Sequence, residues 1–120
     1  MKRPSNVLRA LLVASCLVIG APFARAESVG FQVAITSADS GAKPRVLRAT
    51  KGDRIAIDWS ADKPTVVHIH PYDIEQELKP GAASRSEFTA DISGRFPIEA
   101  HAAGKKGGGK VVAYLEVLPR

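Results

Sequence analysis

Sulfur is almost absent from this sequence of 120 residues, which contains one cysteine, Cys16, and one methionine, Met1. Both lie in the first 26 residues, which have the pattern of a removable leader. The rest of the chain therefore has no disulfide, no thiolate ligand for a metal and no cysteine nucleophile. It also lacks the methionine clusters used in copper trafficking. A small domain without disulfides must be stabilised by the packing of its core alone.

The leader begins with the basic stretch Met1–Arg9, which has no acidic residue, and continues with the apolar stretch Ala10–Phe23. Ala24 and Ala26 then put small residues at the two positions that a signal peptidase reads. This pattern predicts a secretory signal that is cleaved before Glu27. The apolar stretch of about 14 residues is shorter than the ~20 that a membrane-spanning helix needs.

Cleavage would divide the chain into a signal peptide, residues 1–26, and a single periplasmic domain, residues 27–120. Two alternatives stay open for the first segment. It is a membrane anchor if it is not cleaved, and Val13–Cys16 resembles a lipobox, which would place a lipid on Cys16.

The net charge of +5 belongs largely to the leader, which holds four of the 17 basic residues and none of the 12 acidic ones. Without it the net charge is about +1, which removes the main argument for binding nucleic acid. After cleavage we expect no association with a membrane. About 94 residues are enough for one small domain with one core.

Short stretches of alternating polar and apolar residues follow the leader, separated by turns, and no window of eleven residues has a helical period. The clearest is 54–59, which places Ile55, Ile57 and Trp59 on one face. We predict strands over 29–35, 45–49, 54–59, 65–70, 72–78, 86–90, 95–101 and 111–118. Seven or eight short strands predict an all-β domain in which two sheets face each other in a sandwich or close into a barrel.

We also make predictions for three individual residues in or beside these strands. Val46 is expected in the core. Pro71 cannot donate to a strand ladder and is expected to end the fourth strand, and Pro97 is expected to interrupt the seventh.

The three histidines are the strongest functional feature. His68 and His70 are two residues apart in a predicted strand, so both side chains leave the same face. His101 ends another predicted strand, and if the two strands are neighbours the three imidazoles can converge at one end of a sheet. Neutral imidazole is a good ligand for Cu(II) and for Zn(II). The alternative is that these histidines are polar residues on a solvated face.

Carboxylates near the histidines could complete such a site. Glu99 would lie on the same face as His101. It could be a fourth ligand, a partner that orients an imidazole or a surface acid. Asp73 has the same alternatives, and Tyr72 is expected in the core or at its rim. Residues 104–110 match the start of a phosphate-binding loop, but Val111 replaces the Ser or Thr and a strand follows, so we interpret them as a connection.

The sequence from 45 to 119 resembles the cupredoxins, the family of small copper proteins that includes plastocyanin and azurin. The matching pieces are Lys51–Asp53 before the alternating strand, a histidine in the next strand, Pro80–Gly81 before Phe88, Gly94–Phe96, His101, and a last strand ending in Val117. The resemblance implies a Greek-key β-sandwich of seven to eight strands with a mononuclear copper site at one end. It implies ligands from two stretches, His68 or His70 from the first and His101 from the second.

The chain departs from the blue copper pattern in the loop before the last strand. Ile98 stands where a Cys-x-x-His motif would place the thiolate, and no axial methionine is present. Without a thiolate there can be no blue copper centre. The sequence is most similar to small secreted bacterial cupredoxin-like proteins that keep histidines and lack the cysteine.

These observations lead to three hypotheses. The first is a non-enzymatic periplasmic protein that binds Cu(II), or alternatively zinc, through His68, His70, His101 and Glu99, and that buffers, sequesters or presents copper to a periplasmic protein partner. The second is a metal-free accessory domain that has lost its copper site. The third is an enzyme with a non-blue copper ion.

Overall fold

Eight β-strands and one short 3₁₀ helix form the part of the chain described by our computed structural model, residues 20–22 and 25–120. The strands are β1 (Ser28–Ile35), β2 (Arg45–Thr50), β3 (Arg54–Ala61), β4 (Thr65–Ile69), β5 (Ile74–Leu78), β6 (Ser84–Thr89), β7 (Gly94–Ala102) and β8 (Lys110–Leu118). The 3₁₀ helix covers Ser37–Asp39. Each predicted strand is present, with ends that differ by one or two residues.

The strands form two sheets, as predicted. The smaller has the order β1-β3-β6, and the larger has the order β2-β8-β7-β4-β5. β1 is parallel to β3 and β2 is parallel to β8, whereas the other neighbours are antiparallel. The chain passes repeatedly from one sheet to the other, so the inner faces of both sheets share one core.

The core follows from the alternation of side chains along each strand. Ile55, Ile57 and Trp59 of β3 turn inward and are at most 2% exposed. Val67 and Ile69 of β4 meet them from the opposite sheet within the same hydrophobic cluster. Full burial of one such side chain contributes about 1.5–3 kcal/mol of transfer free energy.

Two predictions about individual residues are wrong. Val46 is 39% exposed, because the alternation of β2 instead turns Leu47 and Ala49 into the core. Pro97 does not interrupt β7, which is continuous from Gly94 to Ala102. The ladder between β4 and β7 ends at Ile98, so Pro97 is paired in a ladder only with β8. A residue without an N–H group is tolerated at such an edge position.

A buried carboxylate ties the two ends of the domain together. Asp53 is 4% exposed and accepts hydrogen bonds from the backbone N–H groups of Thr50, at 2.8 Å, and Glu27, at 3.2 Å. The guanidinium group of Arg120 donates to it at 2.5 Å. The Thr50 N–H, and after it the Glu27 N–H and Arg120, hold the pKa of Asp53 below its usual value, against the opposing effect of burial.

Most of the predicted signal peptide, including Cys16, lies outside the described residues. Within the part of the chain that the structure describes, no helix is both long enough and apolar enough to cross a membrane.

Candidate metal centre

His68 lies on the outer face of the five-stranded sheet. It is part of β4, where its neighbours Val67 and Ile69 both turn inward and are fully buried. β4 lies between β5 and β7, so His68 has a register partner on each side, Glu75 on β5 and Glu99 on β7. The side chain of His68 is 31% exposed, so its ring is accessible to a small ion.

His101 lies diagonally opposite His68 on the same face. Its register partner on β4 is Val66, two residues from His68. Long side chains at such diagonal positions of an antiparallel pair can reach each other. The Nε2 atoms of the two histidines are 2.8 Å apart, and their rings stack with centroids at 5.0 Å and planes inclined by 24°.

The second nitrogen of His101 fixes the hydrogen-bonding roles of this pair. Its Nδ1 lies 2.9 Å from the carbonyl oxygen of Ala102. A carbonyl oxygen only accepts, so Nδ1 carries the proton, and in the neutral ring Nε2 has a free lone pair. The Nε2–H of His68 then donates to Nε2 of His101. A metal ion bound between the rings would replace that proton.

His70 and Glu99 form a second pair beside the first. His70 follows the end of β4, where the chain turns before Pro71 as predicted, and its side chain is 49% exposed. Its Nε2 atom lies 3.4 Å from Oε2 of Glu99. Glu99 is also the register partner of His68, so the two pairs are adjacent on the sheet.

All four predicted site residues therefore lie on one surface, but as two pairs. Within residues 20–22 and 25–120, no group of three or more His, Cys, Asp or Glu side chains is arranged to hold a metal ion. The pairs lie on the outer face of the larger sheet, and His101 is the next-to-last residue of β7. The reason is that His68, Glu99 and His101 occupy outward positions of two paired strands.

Glu75 is a neighbour of the site that the sequence analysis missed. Its Oε2 atom lies 3.7 Å from Nδ1 of His68. Residues 70–73 form the turn between β4 and β5, so Ile69 pairs with Ile74 and His68 with Glu75. The short spacing between the two strands was the signal that could have identified it.

The remaining candidate residues have structural positions. Tyr72 packs against Phe88 at the rim of the core, with ring centroids 4.8 Å apart, and burial raises its pKa. Asp73 has a positive φ of 54° in the turn before β5. Residues 103–109 join β7 to β8, which confirms the predicted connection except for Lys110, the first residue of β8.

Several solved structures with a similar fold are copper proteins. A copper nitrite reductase from Nitrosomonas europaea is 20% identical over 78% of this chain and 42% of its own, with a TM-score of 0.53. A multi-copper oxidase from Pseudomonas thermotolerans is 21% identical over 80% of this chain and 31% of its own, with a TM-score of 0.58. The chain has a cupredoxin-like fold. Another multicopper oxidase, 17% identical, also matches with a TM-score of 0.58.

This similarity concerns the fold alone, since the identities are low. The cupredoxin-like chain spans less than half the length of each of these proteins. Neither a protein-family profile nor a curated protein matches its sequence. Ile98, at the position where the resemblance would place a thiolate, is fully buried in the core. Its side chain leaves β7 on the face opposite to Glu99.

Proposed function

We propose that this cupredoxin-like domain binds one Cu(II) ion on the outer face of its larger sheet, with the Nε2 atoms of His68 and His101 as the first two ligands. The observation that supports this is their separation of 2.8 Å. Two nitrogen ligands at about 2.0 Å from a metal, at neighbouring corners of a square, are about 2.8 Å apart. The separation is also that of the hydrogen bond in the metal-free pair, so copper is proposed over zinc because the proteins with a similar fold are copper proteins.

Glu99 and His70 are the side chains that would complete a tetragonal site. Glu99 is paired with His68 across the strands, and His70 lies beside it. Both side chains are partly exposed, so rotation about their side-chain bonds costs little packing energy. Nitrogen and carboxylate ligands without a thiolate would give a normal, non-blue copper spectrum.

The biological role that we propose is non-enzymatic handling of copper in the periplasm. The site lies on an open sheet face, where a protein partner could take up or deliver the ion. Such exposure suits buffering, sequestration or presentation of copper. The predicted leader supports the location, and the site would bind copper more weakly at lower pH because its imidazoles must lose protons to bind.

The test is a titration of the purified protein with Cu(II), monitored by calorimetry and by electron paramagnetic resonance. We expect one ion per chain, with hyperfine coupling to nitrogen. We expect His101→Ala to lower the affinity by about tenfold or more, and Glu99→Gln to lower it less. Glu87→Gln, which changes a carboxylate on the other sheet, is the control and should bind as the wild type does.

Equal affinity and equal spectra for the wild type and His101→Ala would refute the site. The second candidate, a metal-free accessory domain, would then be preferred. The observation in its favour is that the four side chains lie as two hydrogen-bonded or ion-paired couples, with no three of them converging in the described residues. It predicts no stoichiometric copper uptake by the wild type.

A further inference from the structure

A cavity of about 240 Å³ opens between the two sheets, and His101 of the histidine pair is one of the residues that line it. It lies where β1 and β7 end and where β8 begins. The 3₁₀ helix, the segment that follows it up to Arg45, and the connection between β3 and β4 form its remaining walls. Buried apolar cavities of about 150 Å³ hold a benzene molecule. This cavity is therefore large enough for one ring with a small substituent.

The inner wall of the cavity is apolar. Val33 and Ala100 are buried and belong to the facing sides of the two sheets. Ile35 and Val112 are partly buried and pack against the core. An apolar group of a ligand would remove this surface from water, which is favourable in proportion to the area covered.

The rim of the cavity has an excess of positive charge. Four cationic side chains line it, Lys43, Arg45, Lys63 and Lys110, against two carboxylates, Asp39 and Asp62. The rim should attract an anion because its cations outnumber its carboxylates.

Both carboxylates are used in local hydrogen bonds. Asp39 Oδ2 accepts from the N–H and the hydroxyl group of Thr36, at 2.9 and 2.8 Å. Asp62 Oδ2 accepts from the N–H of Ser37 at 2.7 Å. Their hydrogen bonds to Thr36 and Ser37 are the main reason that the pKa of each is lowered, so both are ionised at neutral pH.

Of the four cations at the rim, only Lys110 has a hydrogen-bond partner in the described part of the chain. Lys110 donates to the carbonyl oxygen of Asp39 at 2.9 Å. Lys43, Arg45 and Lys63 form no ion pair with any residue in the described part of the chain. Arg45 and Lys63 act on Asp39 and Asp62 only as nearby charges that help to lower their pKa values, without forming ion pairs. The cavity thus combines an apolar wall with cationic groups that can still bind a carboxylate.

We propose that this cavity binds a small organic acid, in which a carboxylate faces Arg45 and Lys63 and an apolar body of about one ring contacts Val33, Ala100 and Val112. Arginine binds carboxylates through two parallel hydrogen bonds, which gives the site a preference for an acid over a neutral molecule. Binding of the acid needs no metal ion, since its polar contacts are Arg45 and Lys63. His101 of the proposed copper site also lines the cavity, so the titration uses copper-free protein.

The experiment titrates the ¹⁵N-labelled protein with benzoate and follows the amide resonances. We expect saturable shifts at Val33, Ala100 and Val112. Benzyl alcohol, which has the same ring without the charge, should bind at least about fivefold more weakly. Acetate and inorganic phosphate, which are charged but lack the ring, should also bind more weakly.

Two variants and one control locate the site. The double variant Arg45→Gln, Lys63→Gln should weaken benzoate binding by about tenfold, and Ala102→Leu should weaken it by filling the cavity. Lys79→Gln removes an exposed cation in the turn between β5 and β6 and should bind benzoate as the wild type does. No saturable shift, equal binding of benzyl alcohol or phosphate, or unchanged affinity in the double variant would each overturn the proposal.

Discussion

The indole group of Trp59 makes one hydrogen bond inside the core, and the stability of the domain should depend on it. Its Nε1–H donates to Oγ of Ser86 at 3.0 Å, and both residues are buried. Burial without a partner costs a donor about 1–3 kcal/mol. We therefore expect Ser86→Ala to lower the free energy of unfolding by about that amount.

Urea unfolding checks this prediction, with the fluorescence emission of Trp59 as the signal. Trp59 is the only tryptophan in the sequence. Ser84→Ala is the matched control, since Ser84 lies on the same strand and makes only an exposed hydrogen bond of 3.5 Å. It should change stability by less than about 0.5 kcal/mol. Equal losses for the two variants would contradict the assigned role of Ser86.

At this scale the sequence predicts the types of the site residues better than their contacts. The spacing of His68 and His70 predicts a shared face, and His101 lies beside His68 as expected. The ring-to-ring contact depends on a diagonal position across β4 and β7, which is set by the register of two strands 33 residues apart. No local pattern contains that register.

Among the elements, β7 depends on a glycine at its first residue. Gly94 has a φ of 146°, and a Cβ atom there would lie 2.7 Å from Cζ of Phe96. Phe96 packs against the core, so its ring cannot move away freely. We expect Gly94→Ala to lower the free energy of unfolding by about 1–3 kcal/mol.

Gly30→Ala is the control for this prediction. Gly30 lies in β1, and a Cβ atom there would have no neighbour within 4 Å. Alanine also restricts the unfolded chain more than glycine, so this change should be neutral or stabilise by about 0.5 kcal/mol. Chemical denaturation of both variants measures the difference, and a neutral Gly94→Ala would show that the ring of Phe96 adjusts.

The strands themselves were predictable because alternation and turn residues are local signals. Arg54–Ala61 illustrates this, since its inward residues were identified from the sequence. The exceptions have local causes as well. Val46 was misassigned because β2 is short and the choice between its two faces was not fixed by its sequence. The prediction for Pro97 was wrong because the ladder between β4 and β7 ends at Ile98. No ladder with β4 therefore requires an N–H group at Pro97.

For the whole molecule, the order of strands within each sheet could not be derived from patterning. β2 pairs with the last strand, β8, and β1 pairs with β3 and not with the next strand in the sequence, β2. The number and spacing of the strands predicted two facing sheets or a barrel, and the resemblance to the cupredoxins implied the Greek-key sandwich. Neither patterning nor resemblance gave the outer-face position of the histidines, which follows from the assembled sheet.

Acid should destabilise the whole domain through Asp53. Its pKa is lowered in the folded state, so its contribution is present above the usual value of 3.8 and is lost as the pH falls through the folded value. We expect Asp53→Asn to be less stable at pH 7 by about 2–3 kcal/mol, because a charged acceptor of three hydrogen bonds is lost. Its stability should also fall less than that of the wild type below about pH 4.

Thermal unfolding between pH 2 and pH 7 measures both effects. Asp91→Asn, at an exposed aspartate, is the control and should follow the wild-type curve. Parallel curves for the wild type and Asp53→Asn would mean that Asp53 does not link acid to unfolding.

The contact between Asp53 and Glu27 has a consequence for maturation. Cleavage before Glu27 would turn the donor at 3.2 Å into a free α-amino group, and its positive charge would lie next to a buried carboxylate. The pairing would raise the pKa of that amine above its ordinary value of about 8, so the added stability would be present below pH 8 and lost in alkali. Thermal unfolding of the cleaved and uncleaved forms up to pH 10 would measure this loss of stability. Cleavage also removes the exposed hydrogen bond from Arg120 to the carbonyl oxygen of Arg25, at 2.9 Å. Because the new ion pair is partly buried and the lost bond is exposed, the precursor would be the less stable form.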